Sequence, residues 1–455
     1  MLTLNATQQA IIASPSKRIA WLLEVDTDND GIIDYHYAFE GTNFSKISDI
    51  SQRGAVLVAA DPGQEDYFGI GTALSADGSV LVVGADKWDG GATDQGGVYI
   101  YDRDGDSWTQ RGSVLTASDA AQEDYFGSSV ALSDNGEILA VGACTWEGGA
   151  SAQGGVYIYD RNGTSWDQRG SVLTAPDASA GALFGSSVTL SDDGEVLIVG
   201  AFNRAGKGGV YTFDRNGTSW TPRGSVLLAP DAETGDDFGT SVALSDDGNV
   251  LVVGAAKWTG SAAAQGGVYI FDRNGDSWGQ RGSVLTALDA GADDLFGASV
   301  AMSDDGDVLV VGAYTWDGDS LADQGAVYIF DKNGDSWIQR DSVLVASDAG
   351  AGDFFGISMA LSDNGGILAV GALCWDDNET DQGGVYVFDG VNNVYDGKLL
   401  GFDPIVLKRA CPESGIIPAS KTTIRLSNKD NTIDPADLEG ADVLLRLIMQ
   451  AGAYV

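Results

Sequence analysis

Two sets of side chains in this sequence could do chemistry, and both are built on carboxylates. The first is local. The stretch DTDNDGIID places Asp26, Asp28, Asp30 and Asp34 around Gly31, with the Ile32 carbonyl among them. Oxygens at positions 1, 3, 5, 7 and 9 of such a loop can wrap a hard cation, and the glycine allows the sharp bend, so Ca²⁺ is the expected ligand. The bidentate Glu that closes an EF-hand loop at position 12 is missing, which leaves more to Asp34. A solvated acidic turn is the competing reading.

The second set is periodic. Trp88, Trp146, Trp258, Trp316 and Trp375 recur in one register, and Asp66, Asp124, Asp236, Asp294 and Asp353 in another. The third unit carries Ala182, Arg204 and Lys207 where the others have Asp, Trp and Gln. Three differences from two separate loops imply that these residues meet, one Trp–Gln–Asp cluster per unit. Two uses remain open. The clusters pin loops together, or they form a broken ring of glycan sites, since sugars stack on aromatic faces and hydrogen-bond to carboxylates.

Other chemistry has little to work with. His36 is the only histidine, so Ser-His-Asp and Cys-His schemes lack a base. Paired carboxylates for glycoside cleavage are available in so acidic a chain, but nothing marks one pair. Sixfold repetition argues for binding, and the expected protein is not an enzyme. Cys144, Cys374 and Cys411 are too few and too scattered for a disulfide framework.

The formal net charge is −41 over 455 residues. Residues 45–390 hold 52 acids against 16 bases, and so carry nearly all of it. Such a field repels nucleic acid and anionic membrane surfaces. No apolar run reaches the 18 residues a spanning helix needs, so no membrane insertion is expected. The first residues, MLTLNATQQAIIASPSKR, do not read as a secretory signal.

The elements that position the periodic set follow from the repeat. Phe-Gly begins at Phe68, Phe126, Phe184, Phe238, Phe296 and Phe355, and Gly-Ala follows sixteen residues later each time. The spacing is 58 or 59 residues, with one unit of 54, which signals a repeat architecture. Within a unit, SVALS alternates, DNG supplies a turn, and EILAVGA reads as a buried strand. GGVYIYDR, a second turn NG, and SWDQRGSVLTA complete four antiparallel strands, A to D. The predicted fold is all-β, a six-bladed β-propeller over 46–390. SQRGAVLVAAD (51–61) copies the D-strand text ahead of the first Phe-Gly, so an N-terminal strand is expected to close the last blade. The D–A and B–C loops, with the Trp and Asp registers, then share one face. Trp108, Trp166, Trp220, Trp278 and Trp337 are expected to pack between blades. Arg53, Arg111, Arg169, Arg223, Arg281 and Arg340 are expected to pair with the repeated carboxylates.

The Phe-Gly and Gly-Ala pair resembles the FG-GAP repeat of integrin α-chain propellers over roughly residues 46–390. Two departures accompany the resemblance. Integrin-type propellers have seven blades, and their A–B loops carry calcium motifs. Here those turns are short, such as SADGS and SDDGE, with too few oxygens to cage Ca²⁺ one turn at a time.

If the chain enters and leaves the propeller at one blade, residues 1–45 and 391–455 can form one small, mostly-β host domain with a short N-terminal helix at 5–14. The order of its pieces resembles the N-terminal domain of bacteriophage tail-hub and tail-tip proteins. The matching pieces are Gln8–Ala13, Trp21–Asp26, Tyr395–Gly401 and Thr423–Asp430. This resemblance implies a structural component of the virion tail, docked to other tail proteins through 1–45 and 391–455, with a symmetric homo-oligomer as its natural assembly. The propeller would then reach a host-surface glycan or protein. A bacterial extracellular, calcium-dependent adhesion propeller is the alternative, and a polysaccharide-degrading enzyme the third reading.

Overall fold

The computed structural model describes residues 21–26, 35–40, 43–47 and 442–446, and 50–391 apart from 106, 232, 319–320, 341–342, 364, 377–379 and 390. Residues Ile50–Val391 form one compact unit, and Met1–Asp49 with Asn392–Val455 another. The expected helix at 5–14 lies outside the described residues, as do the pieces Tyr395–Gly401 and Thr423–Asp430.

Each repeat folds as a four-stranded antiparallel sheet, and its text explains the order of burial. In blade 2, strand A is Phe126–Leu132 and strand B is Ile138–Ala143; Val130 faces Val141 and Leu132 faces Leu139. Strand B is buried at all six residues, which is why it reads as a continuous apolar run. Strand C, Gly155–Asn162, is buried over its first five residues and then emerges, and strand D, Ser165–Gln168, alternates between exposed and half-buried on the outer edge. The A–B turn reverses at Gly136, whose φ of 66° suits a residue without Cβ. Ser133 at its start takes the Ile138 amide on its hydroxyl at 3.0 Å.

Six such sheets close into a propeller, with the A strands as successive neighbours around the axis. The core lies between blades, not within one. Phe126, Val141 and Tyr157 of blade 2 bury against Val82, Val98 and Ile100 of blade 1, and equivalent clusters fill the other junctions. Within each cluster the Phe of Phe-Gly meets the first Tyr of strand C edge to face, at 5.3 Å for Phe126 and Tyr157. Trp166 and its D-strand equivalents lie half-buried against the same clusters, between blades as expected.

The two glycine motifs belong to one contact. A Cβ on Gly142, from Gly-Ala, would collide with the carbonyl oxygen of Gly185, from the Phe-Gly of the next blade. The same collision waits at Gly84, Gly200, Gly254, Gly312 and Gly371. Inner strands thus approach backbone to backbone. Ser129, Ser187, Ser241, Ser299 and Ser358 each donate a hydroxyl to the Phe-Gly carbonyl of the following blade at 2.6–2.9 Å. Blade 1 has Gly71 at this position.

The ring closes where the sequence predicts. Ser51 and Gln52 pair with Asp389 and Phe388 of blade 6, and Leu57 bridges Val385. Every blade carries an Arg–Asp pair between strands C and D, as Arg111–Asp102 shows; in blade 6 the pair is Arg53 with Asp389 at 2.5 Å, from opposite ends of the propeller. Thr72 and Ser358, 3.2 Å apart, join the first and last inner strands.

In the other unit, Trp21–Asp26, Tyr35–Glu40 and Asn43–Ile47 form consecutive antiparallel strands, with Trp21 opposite Phe39 and His36 opposite Ile47. Asp442–Arg446 adds beside the first of them, Leu23 facing Leu445. Segments on both sides of the propeller therefore share one sheet.

Gly142→Ala should destabilise the chain by about 3 kcal/mol or more in denaturant unfolding, because a backbone carbonyl cannot move aside. Gly163→Ala, at a left-handed position with nothing within 4 Å, should cost only about 1 kcal/mol.

Candidate functional site

The D–A and B–C loops gather the repeated tryptophans and aspartates on one face. In blade 2, Asp124, Trp146 and Gln153 line a single open cleft of about 750 Å³, joined by Asp119, Glu147 and Thr174. Trp, Gln and Asp from separate loops therefore do converge here.

Much of this chemistry is already engaged by the loops. Asp66, Asp124, Asp236, Asp294 and Asp353 are all buried, and each accepts the backbone amide three residues before it at 2.6–2.8 Å. Burial raises the carboxyls of Asp66, Asp124, Asp294 and Asp353 above their ordinary range, against the lowering effect of that amide. Gln95 accepts the Gly91 and Ala92 amides at 3.0 and 2.8 Å, and Gln265 does the same for Ala262. Trp88, Trp146, Trp258, Trp316 and Trp375 are half-buried, and each packs against a core cluster. The six-membered rings of Trp88, Trp146 and Trp258 crowd two loop glycines each, Gly90 and Gly97 in the case of Trp88.

Blade 3 solves the same packing problem with charge. Arg204 lays its stem over Gly209, the place a tryptophan ring takes in the blades that keep it, and donates to Asp177 at 2.6 Å. Asp177 also accepts Tyr211 Oη at 2.5 Å, as Asp119 accepts Tyr157 at 2.7 Å. With Ala182 in place of Asp, Asn203 ties the loop instead, to the Gly181 carbonyl at 2.7 Å.

The opposite face carries a feature that turn-by-turn reading misses. Five A–B turns open with Ser-Asp, giving Asp134, Asp192, Asp246, Asp304 and Asp363, whereas the first has Ala76. These turns cap the inner strands, so their carboxylates converge on the axis. One oxygen each from Asp134, Asp304 and Asp363 lies within 4.8 Å of the others, an arrangement able to hold a cation. No single turn could supply that oxygen set. Burial first, then the neighbouring carboxylates, pushes Asp134 up to about 7 and raises Asp192, Asp246, Asp304 and Asp363.

Of the calcium-loop residues, Asp26 ends its strand, while Asp28, Asp30, Ile32 and Asp34 lie outside the described residues. His36 sits in the second strand of the small sheet.

The axial carboxyls make a testable contribution to stability. A carboxyl raised by folding binds its proton more tightly in the folded chain. Its ionisation therefore removes stability as pH climbs from the ordinary value of 3.8 through the raised one. Asp304→Asn should match the parent near pH 4 and melt at higher temperature by pH 8, with the gap widening between; calorimetry across that range checks it.

The solved structures similar to this chain include a candidate 6-phosphogluconolactonase of Bacteroides fragilis, 13% identical, with a TM-score of 0.44 over 79% of this chain and 88% of that one. The periplasmic gluconolactonase of Pseudomonas aeruginosa is 17% identical, with a TM-score of 0.46 over 82% of this chain and 99% of that one. No curated protein matches the chain. The FG-GAP repeat model matches residues 52–101, 108–159, 166–213, 223–271, 278–330 and 338–388. Each match starts near a D strand and ends in the next strand C, the same offset by which Ser51 and Gln52 complete blade 6. Six matched repeats span most of the sequence, and the chain belongs to the FG-GAP repeat family.

Proposed function

We propose that the chain is a non-catalytic attachment protein, a bacteriophage tail-tip or baseplate component whose propeller binds a host-surface glycan. The observation that carries this reading is the blade 2 cleft. There a half-exposed indole stands beside the carboxylates of Asp119, Asp124 and Glu147 in a space of about 750 Å³. An aromatic plate next to carboxylate acceptors suits a sugar, which offers an apolar C–H face and hydroxyl donors at its rim. The Trp and Asp registers recur in blades 1, 4, 5 and 6, so weak contacts on one face would reinforce one another through effective concentration. The charge of −41 turns away polyanions but not neutral saccharides.

The second unit supports the virion part of the reading. Its sheet takes strands from before and after the propeller in the sequence, so the propeller is an insertion within that unit's chain. Other tail proteins are the partners proposed for that unit, the virion tail its place, and a symmetric homo-oligomer its assembly.

Binding of host-derived polysaccharide, followed by calorimetric titration, should weaken at least tenfold when Trp146 and Trp258 are both changed to Ala. Trp166→Ala, on an outer strand, should leave it unchanged. Glu147→Gln, an exposed substitution, should weaken binding without lowering the melting temperature. Full affinity in the Trp146→Ala, Trp258→Ala and Glu147→Gln variants would remove the reading.

A further inference from the structure

The repeats copy one another so closely that their disagreements carry information. Two registers at the D–A end of the axis differ in every blade or nearly so. Directly after Gly-Ala stand Asp86, Cys144, Phe202, Ala256, Tyr314 and Leu373. Directly before Phe-Gly stand Tyr67, Tyr125, Leu183, Asp237, Leu295 and Phe354, all left-handed with φ between 54° and 59°. Such backbone is strained for a residue with a Cβ, and glycine relieves it. The left-handed position ahead of strand C is glycine in all six blades, Gly96 and Gly154 among them.

The two registers divide the mouth into unlike arcs. Where blades 1 and 2 meet it is polar. Asp86 Oδ1 is buried with no hydrogen-bond partner. Lys87 Nζ lies 4.1 Å from the centre of the Tyr67 ring, and Tyr125 stands in the field of Lys87, Asp86 and Asp94. On the inner strands just below, Ser186 Oγ is buried without a partner, and Ser128 Oγ has only the Cys144 thiol, a weak hydrogen-bonding group. The same inner-strand position is Ile70, Ala298 and Ile357 in blades 1, 5 and 6, and Thr240 in blade 4, whose hydroxyl donates to the Asp237 carbonyl at 2.5 Å. The far arc is mostly apolar, with Phe202, Leu295 and Leu373 and with Tyr314 meeting Phe354 edge to face at 5.6 Å, and is interrupted by the Asp237–Lys257 ion pair at 2.9 Å.

A buried polar atom left unmet costs stability; Asp86 and Ser186 carry such atoms, and Ser128 on the blade between them has only a thiol. A cation could satisfy the Asp86 carboxyl but could not accept a hydrogen bond from the two serine hydroxyls. A ligand carrying several hydroxyls could. We propose that this mouth of the propeller axis is a carbohydrate site, in which the hydroxyls of one sugar residue meet Asp86, Ser128 and Ser186 between Tyr67 and Tyr125. The apolar arc faces the C–H side of the saccharide. Burial pushes Asp86 up to about 7, so near neutral pH its carboxyl can donate as well as accept. The inference rests on the glycan-binding reading above and adds to the blade cleft a second contact, at the axis.

Saturation-transfer NMR on the full chain with glucose, galactose, mannose and N-acetylglucosamine tests it. At least one sugar should receive saturation, and Asp86→Asn and Ser128→Ala should each weaken its binding tenfold or more. Asp86→Asn should also raise the melting temperature by about 2 °C or more, since a buried carboxyl with an unmet oxygen, costly to ionise, is removed. A purely structural Asp86 would give the opposite shift. Transfer to none of the four sugars overturns the proposal. Binding that survives Asp86→Asn and Ser128→Ala but fails in Trp146→Ala overturns it too, while leaving the attachment reading in place.

Discussion

The architecture depends on one close approach: the carbonyl of each Phe-Gly glycine resting on the Gly-Ala glycine of the preceding blade. Only glycine on the receiving strand leaves room, and the serine two residues after the Phe-Gly glycine then anchors the next carbonyl. This contact sets how near the inner strands come to the axis, and the larger core follows from it. Phe126 can meet Tyr157 within its own blade and press on Val82 and Val98 of its neighbour only because nothing bulkier separates the strands. Hydrophobic burial between sheets supplies most of the stabilisation. The glycine contact decides where that burial can occur.

A ring built this way has one weak point, where the last blade meets the first. The protein treats it almost as an ordinary junction. Val385 and Val387 pack with Phe68 and Leu81 as their equivalents do elsewhere, and Arg53 pairs with Asp389 as Arg111 pairs with Asp102. Only the short pairing of Ser51 and Gln52 shows that the strand comes from the other end of the chain. Chain entry and exit side by side are also what let the flanking segments share a sheet, with Asp442–Arg446 beside Trp21–Asp26.

Blade number, strand order and the closing strand were legible because each is written locally, in alternation, in turn glycines and in the copied D-strand text. The convergence of Trp146, Asp124 and Gln153 was legible for a different reason, since blade 3 lost all three kinds of residue together. What stayed hidden depends on radial geometry. A single SDDGE turn holds too few oxygens for a cation, and only closure brings Asp134, Asp304 and Asp363, drawn from three blades, within 4.8 Å of one another. The under-satisfied polar atoms of Asp86, Ser128 and Ser186 were hidden in the same way, because each belongs to a different blade. Nor could sequence show how fully Asp124 and its equivalents are engaged by backbone amides.

Repetition and function pull in opposite directions in such a ring. Identical blades are the cheapest way to close a wheel, since one good junction serves six times, but identical blades give an axis with no preferred side. Specific recognition needs that equivalence broken. Here it is broken at the ends of the inner strands, where substitutions leave the glycine contact and the interblade core untouched. Ala76 interrupts the acidic turns on one face, and the sequence Asp86, Cys144, Phe202 grades the other from charged to apolar across three blades. Arg204 in blade 3 keeps the loop packing of a tryptophan while changing the chemistry presented. The scaffold residues therefore repeat because the ring demands it, and the residues that differ are concentrated where a difference costs the ring least.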